Sequence, residues 1–410
     1  MFNPLPVVLA DMRRTRIGVG AVIALIAVAV ALGVAISAQE RALRQGSASA
    51  ADRFDILIGA QGSPTQLVLT TVYLQTEALE LIDGNLLKEL AEDEGVRYAS
   101  PLAFGDYYLG HPLVGVTMDF VTGGDGAADG LEGRPFQRAY EAVVGADVDL
   151  AIDAKFEPLH GTPDAADPES DSHDGFGFTV VGRLAPQGTP WDRAILVPVE
   201  AVWDVHGMPT GQAHHDEGAA EPARIGPPWT DFIPGVPAIV VKPVSVGDAY
   251  RLRGLYRTSE TLALFPAEVL IELYDLLGGA RDVLATIAVA TQALVIAAVL
   301  LAVFASLAQR RRQVAVLRAL GASRSYVFAT VWCHITIMIA IGGFLGLMLG
   351  WAGALVLSQM VHAETGIALP VALGIQEFGM VLALIVIGGV LALAPSVLSY
   401  RQSVSSGLRA

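Results

Sequence analysis

The sequence predicts an α-helical membrane protein with four transmembrane helices and a large α+β extracytoplasmic domain inserted between helices 1 and 2. Three observations predict it. Apolar runs recur at 17–38, 284–308, 327–358 and 378–398, each reaching the roughly 20 residues a spanning helix needs. Between the first two lies a polar block, 39–283, holding 38 of the 41 acidic and 16 of the 26 basic residues. The basic residues outside it are all arginines, and most of them flank the apolar runs. Only 16% of the 410 residues are charged, where a soluble domain carries about 25%.

Residues 1–16 carry Arg13, Arg14 and Arg16 after the apolar stretch Leu5–Met12, and read as a cytoplasmic amphipathic N-terminus. Ile17–Ala38 then runs without a charge. A signal peptide would have an apolar core of roughly 7–15 residues, so a retained helix is expected despite the small residues of Ala35-Ile36-Ser37-Ala38.

Block 39–283 carries a net charge of −22 and is long enough for a core of its own. Phe54–Gly59 alternates and turns like an edge strand, and Gln66–Tyr73 reads as a second strand. Glu77–Glu94 is helical in composition. Residues 110–160 read as strands, with turns at Gly123, Gly124 and Gly126. Strands follow at Phe178–Leu184 and Ala194–Pro198 around the turn Pro186–Pro190, and again at Ala238–Lys242. Residues 206–230 form a surface loop, and Asp248–Tyr274 is mostly helical.

Past the second apolar run, 309–326 is a basic segment that the positive-inside rule places in the cytoplasm. Run 327–358 is glycine-rich (Gly342, Gly343, Gly346, Gly350), a spacing that lets helices of one chain approach closely. Loop 359–377 has Glu364 and Glu377 but no lysine or arginine, which suits the outside. Tail 399–410, with Arg401 and Arg409, returns inside, so both termini are expected in the cytoplasm.

Several function classes drop out. The net charge of −15 argues against nucleic acid as a partner. A single cysteine, Cys333, allows neither an internal disulfide nor a cysteine metal site. No Gly-x-x-x-x-Gly-Lys-Ser/Thr, His-Glu-x-x-His or Gly-x-Ser-x-Gly sequence occurs, so no enzyme is expected and no cofactor in this chain. His334 is the one ionisable side chain well inside an apolar run, which argues against a small-ion pathway.

Two groups of residues remain as candidates. In the basic segment, Arg310, Arg311 and Arg312 precede Val314, Leu317, Leu320 and Gly321, which share one helical face, while Arg318 falls elsewhere. This is either a plain basic flank or a docking helix. In the outside block, His206, His214, His215, Asp216 and Glu217 fall within twelve residues, and His173 lies beside Asp171 and Asp174. Imidazoles and carboxylates at such spacing can hold zinc, though a solvated loop without an ion has the same composition.

The stretch Arg310–Ser323 is similar to the segment after the second helix of the FtsX/MacB-type permeases, the mechanotransmission class of ABC transporters. Val143-Val144-Gly145 and Val180-Val181-Gly182 resemble the two short strand motifs of that family's periplasmic core domain. Asp55–Pro64 is less typical of its tripartite efflux members. The resemblance implies a permease in the bacterial inner membrane, working as a dimer with a second permease copy or homologue. A separate ABC ATPase subunit, carrying ATP and magnesium, would dock on Arg310–Gly321. Membrane lipid and an extracytoplasmic accessory protein are the other implied partners. The cargo would be a lipoprotein, peptide, lipid or other hydrophobic molecule handled on the outer side. Two further roles fit the same features: a transducer that activates an extracytoplasmic enzyme such as a cell-wall hydrolase, and a metal-linked extracytoplasmic role.

Overall fold

The computed structural model describes residues 3–75, 77–126, 130–161, 175–208, 225–229, 232–275, 321–394, 396 and 397, with a few single residues between 283 and 297. The chain divides into two units: 45–276 with 361–368, and 1–44 with 277–360 and 369–410. The described helices are α1 (Leu5–Arg14), α2 (Arg16–Ala51), α3 (Pro64–Val72), α4 (Leu86–Glu92), α5 (Met118–Thr122), α6 (Val199–Val205), α7 (Val246–Leu255), α8 (Arg324–Thr365) and α9 (Ile375–Leu391). The strands are β1 (Ile56–Ala60), β2 (Val96–Tyr108), β3 (His111–Val116), β4 (Glu132–Gly133), β5 (Glu141–Val144), β6 (Lys155–Phe156), β7 (Leu159–His160), β8 (Phe178–Arg183), β9 (Ile195–Pro198), β10 (Ala238–Pro243) and β11 (Thr261–Leu264).

The polar unit is built on one mixed sheet in the order β11-β1-β10-β2-β3-β9-β5-β8-β4, with β6 added to β8 and β7 to β2. Its strands are apolar on both faces, because successive side chains point to opposite sides and both sides are covered. Ile56, Ile58, Ala142, Val144, Ile195, Val197, Ile239 and Val241 pack into one core, with α4, α6 and α7. Their neighbours Leu57, Val143, Leu196 and Val240 pack into a second core, with α3, α5 and Trp191.

Four readings of the sequence are corrected here. The Phe54–Gly59 stretch is no edge: β1 lies between β11 and β10, and Ile56–Gly59 are all buried. Its run of consecutive apolar residues is the pattern of an interior strand. Gln66–Tyr73 belongs to helix α3, not a strand, because Ser63 Oγ accepts from the Gln66 amide and Pro64 stands at the first helical position. The expected long helix at Asp248–Tyr274 is broken by β11, whose Thr261 hydroxyl donates to the Tyr256 carbonyl. The helix expected at Glu77–Glu94 shortens to α4.

The two Val-Val-Gly motifs lie on neighbouring strands. β5 and β8 run parallel, with Val143 opposite Gly182 and Val144 opposite Arg183. Their glycines admit passing backbone. A Cβ on Gly145 would stand 2.3 Å from the Asp192 carbonyl oxygen, and one on Gly182 would stand 2.4 Å from that of Arg134.

At the start of β5 the Glu141 carboxylate accepts from Arg134 Nη2 and Nη1, at 2.6 and 2.7 Å, and from the Gln137 amide at 2.8 Å. The Arg134 hydrogen bonds hold its carboxyl below the usual glutamate range, against the opposing effect of burial. A carboxyl with a depressed folded pKa contributes stability that is present above its unfolded pKa, about 4.3, and lost as pH falls through the folded value. Glu141→Gln is therefore expected to cost about 1–2 kcal/mol at pH 7, the value of charged hydrogen bonds discounted for the exposed arginine. Thermal melting of the purified chain should show the deficit at pH 7 shrinking below pH 4; a deficit equal at both pH values would refute the linkage.

The apolar unit is a helix cluster. Two described helices, α2 with 36 residues and α8 with 42, are long and apolar enough to cross a membrane, and α9 is a shorter apolar helix. At 1.5 Å per residue α2 and α8 exceed the roughly 30 Å of a hydrocarbon core, so both run past it. Large apolar side chains stay exposed on all three, among them Val28, Leu32, Phe344, Val356, Leu382 and Val390. The expected glycine approach is an intrachain contact. Cβ atoms on Gly342, Gly346 and Gly350 would meet the Cβ atoms of Ile26, Val30 and Val34 of α2 at 2.6–2.7 Å. On its other side α8 meets α9, where Trp332 Nε1 donates to the Gly389 carbonyl at 2.9 Å. The cluster is closed by an ionic tie: Glu377, whose side chain is fully buried, accepts from Ser37 Oγ at 2.7 Å and Arg41 Nη1 at 2.9 Å.

Candidate functional site

In the polar unit a cleft of about 360 Å³ is lined mainly by apolar side chains, including Leu74, Leu79, Leu81, Phe104 and Leu113, with Asp106 and His160 among its polar residues. The sheet positions these two. β2 is one long strand that serves two sets of partners: Val96–Leu102 pair with β10, and Ala103–Tyr108 with β3 and β7. The register shifts between Ala103 and Asp106, at Gly105, whose φ of 148° few other residues adopt. Such a bulge re-aims the residue that follows. Asp106 then sits directly opposite His160 of β7, and the Gly161 amide donates to the Gly105 carbonyl at 2.8 Å.

The third member comes from α6. Val202, Trp203 and Val205 anchor this helix in the core, and His206 stands at its C-terminal cap. His206 Nδ1 lies 2.8 Å from the Val202 carbonyl oxygen. A carbonyl oxygen only accepts, so Nδ1 carries the hydrogen. Nε2 then faces Asp106 Oδ1 at 3.5 Å and His160 Nδ1 at 3.3 Å, and His160 Nδ1 lies 3.4 Å from the same Asp106 oxygen. The Asp106 side chain is 1% exposed and that of His160 54%.

Among the predicted site residues, His206 is thus placed beside two side chains that the spacing of histidines did not select. His214, His215, Asp216, Glu217, Asp171, His173 and Asp174 lie outside the described residues, as do Arg310, Arg311, Arg312, Val314, Leu317, Arg318 and Leu320. Gly321 is described: it is exposed, with φ 96°, and precedes Ser323, whose Oγ accepts from the Tyr326 amide at the start of α8. His334 lies 3.7 Å from the Asp11 carboxylate. Asp106 and His160 escape sequence reading because 54 residues separate them. Gly105 inside an apolar strand was the available sign of a bulge.

Residues 285–404 match the family model of the FtsX-like permease C-terminal domain. The C-terminal part of this chain is thus similar to the FtsX-like permease C-terminal domain. The matched residues include α8, α9 and the whole of the Arg310–Gly321 segment. Two solved structures are similar to the chain. The periplasmic region of MacB from Actinobacillus actinomycetemcomitans is 11% identical, with a TM-score of 0.30, over 53% of this chain and 92% of that one. The extracellular domain of the noncanonic ABC-type transporter YknZ from Gram-positive bacteria is 12% identical, with a TM-score of 0.27, over 51% of this chain and 98% of that one. No curated protein matches the chain.

Proposed function

We propose that this chain is the permease subunit of a bacterial inner-membrane ABC complex that moves or extracts a hydrophobic cargo, such as a lipoprotein, peptide or lipid, on the outer side. The permease-family match over 285–404 carries this reading. The chain spans the membrane four times with both termini in the cytoplasm, and 39–283 stands outside. It pairs with a second permease copy or homologue. ATP and magnesium act on a separate ATPase subunit, because this chain has no phosphate-binding loop. The apolar lining of the cleft at Leu74, Leu79 and Phe104 suits a hydrophobic cargo.

The ATPase docks on Arg310–Gly321, where Val314, Leu317 and Leu320 form the contact face. Leu317→Asp and Leu320→Asp each put a charge on that face, and an unpaired charge in an apolar interface costs several kcal/mol. The expected result is a loss of ATPase affinity on the order of 30-fold or more, with membrane insertion intact. Co-purification of the tagged permease with its ATPase measures it. Undiminished recovery of the ATPase with both variants refutes the docking assignment.

A further inference from the structure

We propose that Asp106, His160 and His206 form a binding site for a divalent transition-metal ion of the zinc type. The inference goes beyond the permease reading and does not depend on it. Three potential ligand atoms, Asp106 Oδ1, His160 Nδ1 and His206 Nε2, stand at the corners of a near-equilateral triangle with sides of 3.3, 3.4 and 3.5 Å. Zinc binds imidazole nitrogen and carboxylate oxygen at 2.0–2.2 Å, so a tetrahedral site holds its ligand atoms about 3.3–3.5 Å apart. The triangle is one face of such a tetrahedron. As hydrogen bonds the same separations are poor, since charge-assisted pairs close to about 2.7–2.9 Å.

The surroundings of the triangle agree. The hydrogen bond from His206 Nδ1 to the Val202 carbonyl fixes the tautomer that leaves the Nε2 lone pair toward the triangle, the usual support of a metal-bound histidine. Asp106 is almost wholly buried, and a metal ion bound to it would offset the cost of burying its charge. The three ligands arrive on three elements, β2, β7 and α6, that are held by the sheet and the core. Three protein ligands leave a fourth position for water or a group of the cargo. Asp106 and His160 also line the apolar cleft, which brings an ion at this site to the cleft.

The ligand set differs from the one that histidine spacing suggests. Only His206 is shared with the group His206, His214, His215 and Asp216, which allows a clear test. The full chain, purified in detergent and stripped of metal, is titrated with zinc in competition with a chromogenic chelator. One zinc per chain is expected. His160→Ala, His206→Ala and Asp106→Asn should each weaken binding at least about 100-fold, more than the 10–100-fold that losing a supporting hydrogen bond costs. His214→Ala and His215→Ala should leave affinity unchanged. Cobalt in place of zinc should give the intense visible bands of a four-coordinate ion, and these should vanish in His160→Ala. That position is half exposed, so the variant keeps its fold, which an unchanged metal-free melting temperature verifies. Absence of zinc binding by the unaltered chain, retained affinity in His160→Ala, or loss of binding on changing His214 or His215 instead would each overturn the assignment.

Discussion

Gly346→Ala is expected to destabilise the purified chain by about 2–3 kcal/mol, while Gly353→Ala, the same change seven residues along the same helix, is not. The added Cβ at Gly346 would stand 2.6 Å from the Val30 Cβ and 2.7 Å from the Ala27 carbonyl oxygen. The second contact is with helix backbone, which cannot turn aside as a side chain can, so α2 and α8 must separate. Overpacking of this kind costs about 1–3 kcal/mol. It also opens the neighbouring contacts of Gly342 with Ile26 and of Gly350 with Val34. Between helices in a membrane this matters more than in a soluble core, because lipid solvates apolar side chains as well as protein does and close packing supplies the attraction. Gly353 has no atom within 4 Å of its would-be Cβ and is exposed. Alanine there gains helix propensity without a clash. Thermal melting of the two variants in detergent decides the matter, and equal melting temperatures would show that the close approach of α2 and α8 does not hold the helices together.

Glu377→Ala is the second large effect, at about 3–5 kcal/mol. The Glu377 carboxylate accepts from three groups at once: Ser37 Oγ, Arg41 Nη1 and the Gly374 amide at the turn that begins α9. Its side chain is fully buried, whereas that of Arg41 is 26% exposed and also donates to the Ala372 carbonyl. Removing one member of a buried pair leaves the other uncompensated, which is why the loss exceeds the value of the pair itself. Arg41→Leu should therefore be about as harmful as Glu377→Ala. The double variant Arg41→Leu with Glu377→Ala should be less harmful than the sum of the two single changes, with a coupling energy of order 1–3 kcal/mol in a double-mutant cycle. Strictly additive losses would show that the two side chains do not act together.

These predictions differ in how far the sequence supports them. The glycine spacing at 342, 346 and 350 was readable as a helix-approach surface, but the partner was not: α2 lies more than 300 residues earlier. Glu377 was read only as a mark of the outside loop. That it reaches Ser37 and Arg41 depends on the C-terminal half of α2 meeting the start of α9, which no local pattern encodes. The strand error at Gln66–Tyr73 has a local cause. Branched and apolar residues there outweighed the cap Ser63-Pro64, which fixes the helix. The break at β11 has a tertiary one, since pairing of Thr261–Leu264 with β1 overrides the helical composition around it.

By itself the sequence determined the membrane class, the acidic block between apolar runs and the basic segment Arg310–Gly321. All of these are properties of composition and spacing along one dimension, where hydrocarbon thickness and the sign of charge set the rule. The tertiary structure alone decided which side chains share a site. Asp106 and His160 are brought opposite each other by strand register, after a bulge at Gly105, and His206 is aimed at them by the cap of α6. Register and capping are settled by the packing of two cores against one sheet. The triangle they create has no trace in the spacing of its members, because strand register and a helix cap bring together residues far apart in the chain.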